Sequence, residues 1–293
     1  MTRQKVGILH PGEMGISVAA SIQASGHTVY WASDGRSRET HKRAAKFGLQ
    51  DIRTLAALCE TCTVIVSVCP PHAAEQIADT VLGYSFAGLY LDANAVSPQR
   101  VIHIGQAMRD AGVTFVDGGI IGGPAWEKGR TRLYLSGEAA EEAAACFSGG
   151  ALQAIVIGQA IGKASALKMC YAAYTKGTTA LLCGILATAE GLGIRGELEE
   201  EWSRDGSGFD KEARERVRRV TAKAWRFEGE MEEIAETFRA AGLPGEFHTA
   251  AASIYQRLAG FKDAASLPTL DQVLLALAQG SESSQSGGNV ENI

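Results

Sequence analysis

From Lys5 to about Ile157, short β-branched runs alternate with helix-forming stretches, and this alternation limits the fold more than any other feature of the sequence. VGIL precedes a helical pattern over 13–25, HTVYW one over 37–47, and TVIVSV one over 72–82. Strands separated by helices of this length pair in parallel, because each crossover returns the chain to the same end of the sheet. LYLDAN, VTFVDG, RLYLSG and AIVIG extend the series to seven or eight strands. An open, mostly parallel sheet of this kind binds ligands beyond the carboxyl ends of its strands, where strand order reverses.

After Gly158 the strand signals stop. A run rich in Ala and Leu predicts one helix over about 161–192, ended by Gly193, and such a helix of some 30 residues spans roughly 45 Å. Further helices are expected over 197–203, 210–241, 246–259 and 270–278. Glu212, Arg216, Arg219 and Lys223 recur at helical spacing and read as a solvated face. With 293 residues to distribute, two domains are the natural division. The fold class is therefore an α/β Rossmann domain over 1–159, followed by an all-α domain over 160–280 that holds substrate and a dimer contact, with a long helix joining them. The Gly/Ser-rich tail over 281–293 is expected to be disordered.

A net charge of −5 and the absence of any long Lys/Arg block argue against nucleic-acid or membrane-surface partners and for a small-molecule substrate. The N-terminus enters VGIL directly, which is too short for a signal-peptide core, and the uncharged stretch over 177–189 is too short to span a bilayer. A cytoplasmic protein with reduced cysteines is expected. Cys59 and Cys62 form a Cys-x-x-Cys pair but precede a strand, whereas the redox motif follows one and opens a helix. No second pair supports zinc, and His72 and His103 lack ligand spacing, so no metal site is expected. Cys170 and Cys183 read as small core residues.

The first strand ends in HPGEMG, where a dinucleotide-binding turn carries Gly-x-Gly-x-x-Gly. Gly12 and Gly15 fill the second and third positions, for pyrophosphate approach and for close helix packing, while His10 replaces the first glycine. The helix that starts near Glu13 aims its amides and positive dipole end at a pyrophosphate. The second strand ends in WASDGRSR. Asp34 suits a ribose hydroxyl and hence NAD, whereas Arg36, Ser37 and Arg38 suit a 2′-phosphate and hence NADP. The two arginines and the serine favour NADP, with NAD as the alternative. Ser37 also reads as a helix N-cap.

HPGEMG, SVCPP at 67–71, DANAVSP at 92–98, VDGGIIGGP at 116–124 and GKASALKMCYAAYTKG at 162–177 occur in an order and spacing that resemble the β-hydroxyacid dehydrogenase superfamily. This superfamily includes hydroxyisobutyrate dehydrogenases, phosphogluconate dehydrogenase and imine reductases, and the resemblance runs from about Lys5 to Gly193. It implies a nicotinamide cofactor held by His10, Pro11, Gly12, Glu13, Met14 and Gly15, by Ser33, Asp34, Arg36 and Ser37, and by Cys69, Pro70 and Asn94. It also implies a homodimer.

The superfamily's substrate loop reads Asp-x-Pro-x-Ser-Gly-Gly. Asp117, Gly122 and Gly123 match it, and Ile121 stands in place of the serine. The resemblance places Asp117, Ile121, Gly122 and Gly123 at the substrate, with Trp126 packing beside it, and the lost hydroxyl favours apolar or aromatic substrates over a bare carboxylate. Lys168 matches the catalytic lysine. Ala172 stands where an Asn usually assists it, and Tyr171 and Tyr174 are the substitutes in reach. The reaction expected is hydride transfer between nicotinamide and a hydroxyl or carbonyl carbon, with Lys168 handling the proton. Imine reduction through a tyrosine is the alternative, and a non-catalytic NADP(H)-sensing module is the alternative of another class.

Overall fold

The computed structural model describes residues 3–279; the tail expected to be disordered lies outside them. The chain divides between Tyr171 and Ala172 into two compact units.

The first unit is built on an eight-stranded sheet of order β3-β2-β1-β4-β5-β6-β7-β8. In chain order its elements are β1 (Lys5–Ile8), α1 (Glu13–Ala24), β2 (Thr28–Trp31), α2 (Arg38–Lys46), β3 (Gln50–Asp51), α3 (Leu55–Thr61), β4 (Val64–Ser67), α4 (Ala74–Leu82), β5 (Leu89–Asp92), α5 (Pro98–Asp110), β6 (Thr114–Ile121), β7 (Arg132–Ser136), α6 (Ala140–Ala145) and β8 (Gln153–Gly158). The two-residue alternation of a strand decides which face each side chain serves. Val64 and Val66 of β4 pack with Ile16 and Ile22 of α1 and Ala44 of α2. Ile65, between them, points to the opposite face, with Leu58 of α3, Ala78 of α4 and Ile104 of α5. Helices therefore cover both faces, which is why the central strands are apolar throughout.

The sheet is mostly parallel, as expected, and its antiparallel pair is β6 and β7, with Asp117 opposite Ser136 and Ile121 opposite Arg132. The segment read as a loop after Asp117 is therefore strand as far as Ile121. Helices α3, α5 and α6 were also not foreseen. For α5 the signal was in the sequence: Ser97 accepts from the amide of Arg100 and Pro98 occupies the first turn, the usual start of a helix.

The helix α7 (Lys163–Gly191) starts in the first unit and continues into the second. There it is followed by α8 (Arg195–Ser203), α9 (Phe209–Ala240), α10 (Glu246–Arg257) and α11 (Leu270–Gln279). Not all of the α9 charges are solvated. Arg216 donates to Thr179 Oγ1 at 2.6 Å and to the Thr175 carbonyl at 2.8 Å, because its guanidinium lies over α7 rather than in water. Lys176 and Glu230 form a buried ion pair, with the ammonium 4.5 Å from the centre of the Phe227 ring. Cys183 is buried as expected, but Cys170 is exposed, since it falls on the outer side of α7. Among the described residues no helix is long and apolar enough to cross a membrane.

Candidate functional site

The turn after β1 is tight. Gly12 donates its amide to the His10 carbonyl at 2.8 Å and stands at the N-cap of α1 without a side-chain cap, leaving the helix's first amides open to an anion. A β-carbon at Gly15 would lie 1.9 Å from the His10 carbonyl oxygen, so only glycine lets α1 approach the strand this closely. Arg43 of α2 donates to the Pro11 carbonyl at 3.2 Å and steadies the turn.

His10 carries the imidazole that replaces the first glycine. Burial, and then the neighbouring Arg36 guanidinium, lower its pKa to about 4. Among the described residues its Nδ1 is buried without a hydrogen-bond partner, and so is Nε of Arg36. Arg36 is half-buried in the turn after β2, where its amide donates to the Ser33 carbonyl at 3.1 Å. Ser33 is buried, and Asp34 and Arg38 are exposed. Ser37 accepts from the Thr40 amide at 3.3 Å, so its oxygen caps α2, as the sequence also suggested.

Pro70 is exposed beside Cys69 in the turn after β4, and burial pushes the Cys69 thiol up to about 12. Asn94 does not present its amide to a ligand. Its Oδ1 accepts from the Cys69 amide at 2.6 Å and its Nδ2 donates to Ser67 Oγ at 3.1 Å, which ties the ends of β4 and β5 together. These buried side chains fit a dinucleotide along β1, β2 and β4: a capless helix start, an open glycine turn, and two buried nitrogens awaiting partners.

At β6 the structure corrects the reading of Asp117. This residue is fully buried and lies beneath the site rather than against substrate. Its Oδ2 accepts from Ser136 Oγ at 2.9 Å and from the amides of Gly162, Ala164 and Ser165 at 2.9, 3.0 and 3.2 Å, while Oδ1 accepts from Ser165 Oγ at 2.6 Å. A carboxylate at the start of a helix neutralises its positive end, and here it fastens α7 to the sheet. Burial pushes the Asp117 carboxyl above its usual range, and the Ser165, Ser136 and Gly162 donors oppose the shift. Its register neighbour Asp92 is also buried; burial and the Asp117 charge push it up to about 7 against the pull of the Asn94 amide.

Gly119 lies two residues beyond Asp117, on the same face. A β-carbon there would lie 2.6 Å from the Ala164 carbonyl oxygen and 3.1 Å from Lys168 Cβ. Asp117 and Gly119 together seat the first turns of α7 on β6 and thereby place Lys168, which is partly buried. Tyr171 and Tyr174 of the same helix are 49% and 71% exposed, so neither is enclosed as Lys168 is. Ala172 is buried, leaving no polar group where the superfamily has its asparagine.

Ile121 is buried, and Gly122 adopts φ of +125° in the β6–β7 hairpin, with Gly123 exposed beside it. Trp126 is placed elsewhere than expected. It stacks on Phe47 at 5.1 Å and lines a cavity of about 740 Å³ whose other walls include Glu13, Lys42, Arg43 and Lys46; the substrate-loop residues 121–123 are not among them. The loop that carries Trp126 is held to α1 by Ser17, whose hydroxyl accepts from the Ala125 amide at 2.9 Å and donates to the Met14 carbonyl at 2.8 Å. Cys59 and Cys62 pack in the core, where burial pushes their thiols up to about 11 and about 12. Sequence reading missed Ser17, Arg43, Ser136 and Ser165, which have partners distant in the chain, and Asp92, whose burial follows from its place in the sheet.

Residues 5–158, more than half of the chain, match the family described as the NAD binding domain of 6-phosphogluconate dehydrogenase. The chain belongs to the β-hydroxyacid dehydrogenase superfamily. Residues 189–258 match a second family, described as a domain of unknown function (DUF1932), which accounts for the helical region where the resemblance read from sequence ended. A curated relative, an uncharacterized 28.5 kDa protein of Methanothermus fervidus, is 32% identical over 57% of this chain, and the match spans only 63% of that relative's length. Among solved structures, Conserved Protein MTH1747, described as structurally similar to 3-hydroxyacid dehydrogenases, is 26% identical with a TM-score of 0.64, over 93% of this chain and 99% of that one. The 3-hydroxyisobutyrate dehydrogenase of Mycobacterium tuberculosis, solved with L-serine, has a TM-score of 0.68 at 18% identity, over 94% and 99% of the two chains. At that identity the likeness to the Mycobacterium enzyme is one of fold.

Proposed function

We propose that this protein is an NADP-dependent oxidoreductase that moves hydride between nicotinamide and the hydroxyl or carbonyl carbon of a small, largely apolar substrate. The observation that carries the reading is the seat of Lys168: partly buried, on the helix turns that Asp117 and Gly119 hold against β6. A bound nicotinamide supplies or accepts the hydride. Lys168 then donates its proton to the oxygen of a carbonyl being reduced, or takes the hydroxyl proton of an alcohol being oxidised. Gly122 and Gly123 offer exposed backbone to the substrate, and Ile121 contributes an apolar wall where a hydroxyl would have favoured a carboxylate. Half-buried Arg36 supports NADP over NAD.

The second unit supports a homodimer. Its apolar groove of about 600 Å³ is lined by exposed Leu181, Leu192, Ile194 and Phe247, side chains that a second copy could cover. Sedimentation of the purified protein tests this, and a monomer at micromolar concentration removes it. The six free cysteines suit a cytoplasmic setting.

The test of the chemistry is turnover of carbonyl and cyclic imine panels by wild type and variants. Lys168→Met should lower carbonyl turnover by about a hundredfold or more. Lys163→Met, at an exposed position, is the control; Lys176 does not serve, since its removal strands Glu230 in the interior. If Lys168→Met reduces carbonyls normally while Tyr171→Phe or Tyr174→Phe does not, imine reduction becomes the leading reading. Turnover of either panel eliminates a pure sensing role.

A further inference from the structure

His10 and Arg36 come from the turns after β1 and β2, and each keeps a buried nitrogen without a hydrogen-bond partner among the described residues. Unpaired buried polar atoms cost stability and call for an explanation, a missing ligand or ion among them. Cys69, from the turn after β4, is the third member of the cluster. Arg36 is the charged group whose field bears on His10, Cys69 bears on Arg36, and Asp92 bears in turn on Cys69. The cluster therefore holds one fixed positive charge, one neutral imidazole and one protonated thiol near pH 7.

We propose that His10 and Arg36 act as one binding pair for a phosphomonoester at the ribose 2′ position, and that His10 takes up a proton as the phosphate binds. The inference rests on the NADP reading above and adds to it a residue that stands where the glycine turn normally has no side chain. A phosphomonoester carries about −1.5 to −2 charges near neutral pH and three acceptor oxygens. Its dianion, the form that prevails at pH 7, brings no donor to Nδ1, so a contact with that nitrogen requires a proton on the ring. In the free protein, burial and the Arg36 charge both oppose that proton. An adjacent phosphate reverses the local field, and the proton passes from solvent buffer to imidazole with no other bond made or broken. A 2′-hydroxyl donates to the neutral ring instead, so binding without the phosphate needs no proton.

Calorimetry with adenosine 2′,5′-bisphosphate and adenosine 5′-monophosphate, at pH 7 in buffers of different ionisation enthalpy, tests this. The bisphosphate should show an uptake approaching one proton in wild type relative to His10→Gln, since the phosphate's own titration is common to both. The monophosphate should show no difference. His10→Gln should also weaken bisphosphate binding by roughly tenfold while sparing the monophosphate. Should the variant fold poorly, nitrogen-detected NMR of the wild-type histidines reads the same event as conversion of His10 from neutral to protonated on adding bisphosphate. Equal proton counts in the two proteins, or an unchanged His10 signal, overturn the proposal and leave the NADP reading standing. A bisphosphate that binds no more tightly than the monophosphate overturns both.

Discussion

Around Asp117, hydroxyls and backbone amides converge on one carboxylate, whereas among the described residues His10 and Arg36 each keep a buried nitrogen without a partner. Both regions lie at the carboxyl end of the same sheet, but Asp117 is fully buried and the side chains of His10 and Arg36 only partly. In the first the polar groups satisfy one another, so the cluster is an anchor whose loss is felt as instability. In the second each keeps a buried nitrogen unmatched, and under the proposal above the cluster is a receptor whose loss is felt as weaker binding. Burial of polar residues does not by itself distinguish structure from function; the state of their hydrogen bonds does.

The largest expected effect breaks the anchor. Asp117→Ala leaves the amides of Gly162 and Ser165 and the hydroxyls of Ser136 and Ser165 without their acceptor, while the Ala164 amide keeps only Ser136 Oγ. Breaking a buried charged network costs about 3 to 5 kcal/mol, which urea unfolding of the variant should register. Asp117→Asn should recover little, because its amide turns a donor toward donors. A loss below about 1 kcal/mol for either variant would return Asp117 to the substrate side of the comparison.

Next comes the receptor. Arg36→Ala should lower NADPH affinity by about tenfold to a hundredfold, the worth of a charge-assisted hydrogen bond, with NADH affinity and unfolding free energy nearly unchanged. Fluorescence titration with both cofactors reads this, and equal losses for the two dinucleotides would break the assignment.

A smaller effect sharpens the contrast through pH. The folded pKa of His10, about 4, lies below its unfolded value of 6.5, so between these pH values the unfolded chain binds the extra proton. Stability therefore falls as pH drops through that window, by at most about 1.4 kcal/mol per pH unit from this residue. Asp92 acts in the opposite sense, because its raised folded pKa makes the native state the better proton binder between about 4 and 7. The His10 contribution is thus read from the difference between wild type and His10→Gln, which should be level above pH 6.5, fall as pH drops through the window and level off below pH 4. A flat difference curve would place the imidazole in water.

The smallest effect is expected at Ile121. Restoring the superfamily's hydroxyl with Ile121→Ser should not raise kcat/KM for the best substrate found. A gain with a small hydroxy acid would overturn the apolar reading of the pocket.

The sheet was legible in the sequence because its strands are short β-branched runs bounded by helices, and VGIL, TVIVSV and LYLD each appear where expected. Family order singled out Lys168 and the glycine turn. Asp117 was misread because the segment 117–123 looks like a glycine-rich loop, and only pairing with β7 shows it to be strand, with Asp117 and Gly119 on one face. The proximity of His10 to Arg36 was equally hidden, since local pattern gives no measure of how closely two turns approach. Trp126 was drawn to the substrate by its nearness in sequence to Gly123, and a hairpin carries it to Phe47 instead.

The Ser17 hydroxyl joins the amide of Ala125 to the first turn of α1. This joint couples the β6–β7 hairpin mechanically to α1. A chimera that imports another superfamily member's hairpin without a hydroxyl at position 17 should lose the geometry of both, so the serine belongs in any graft meant to change the substrate while keeping the coenzyme.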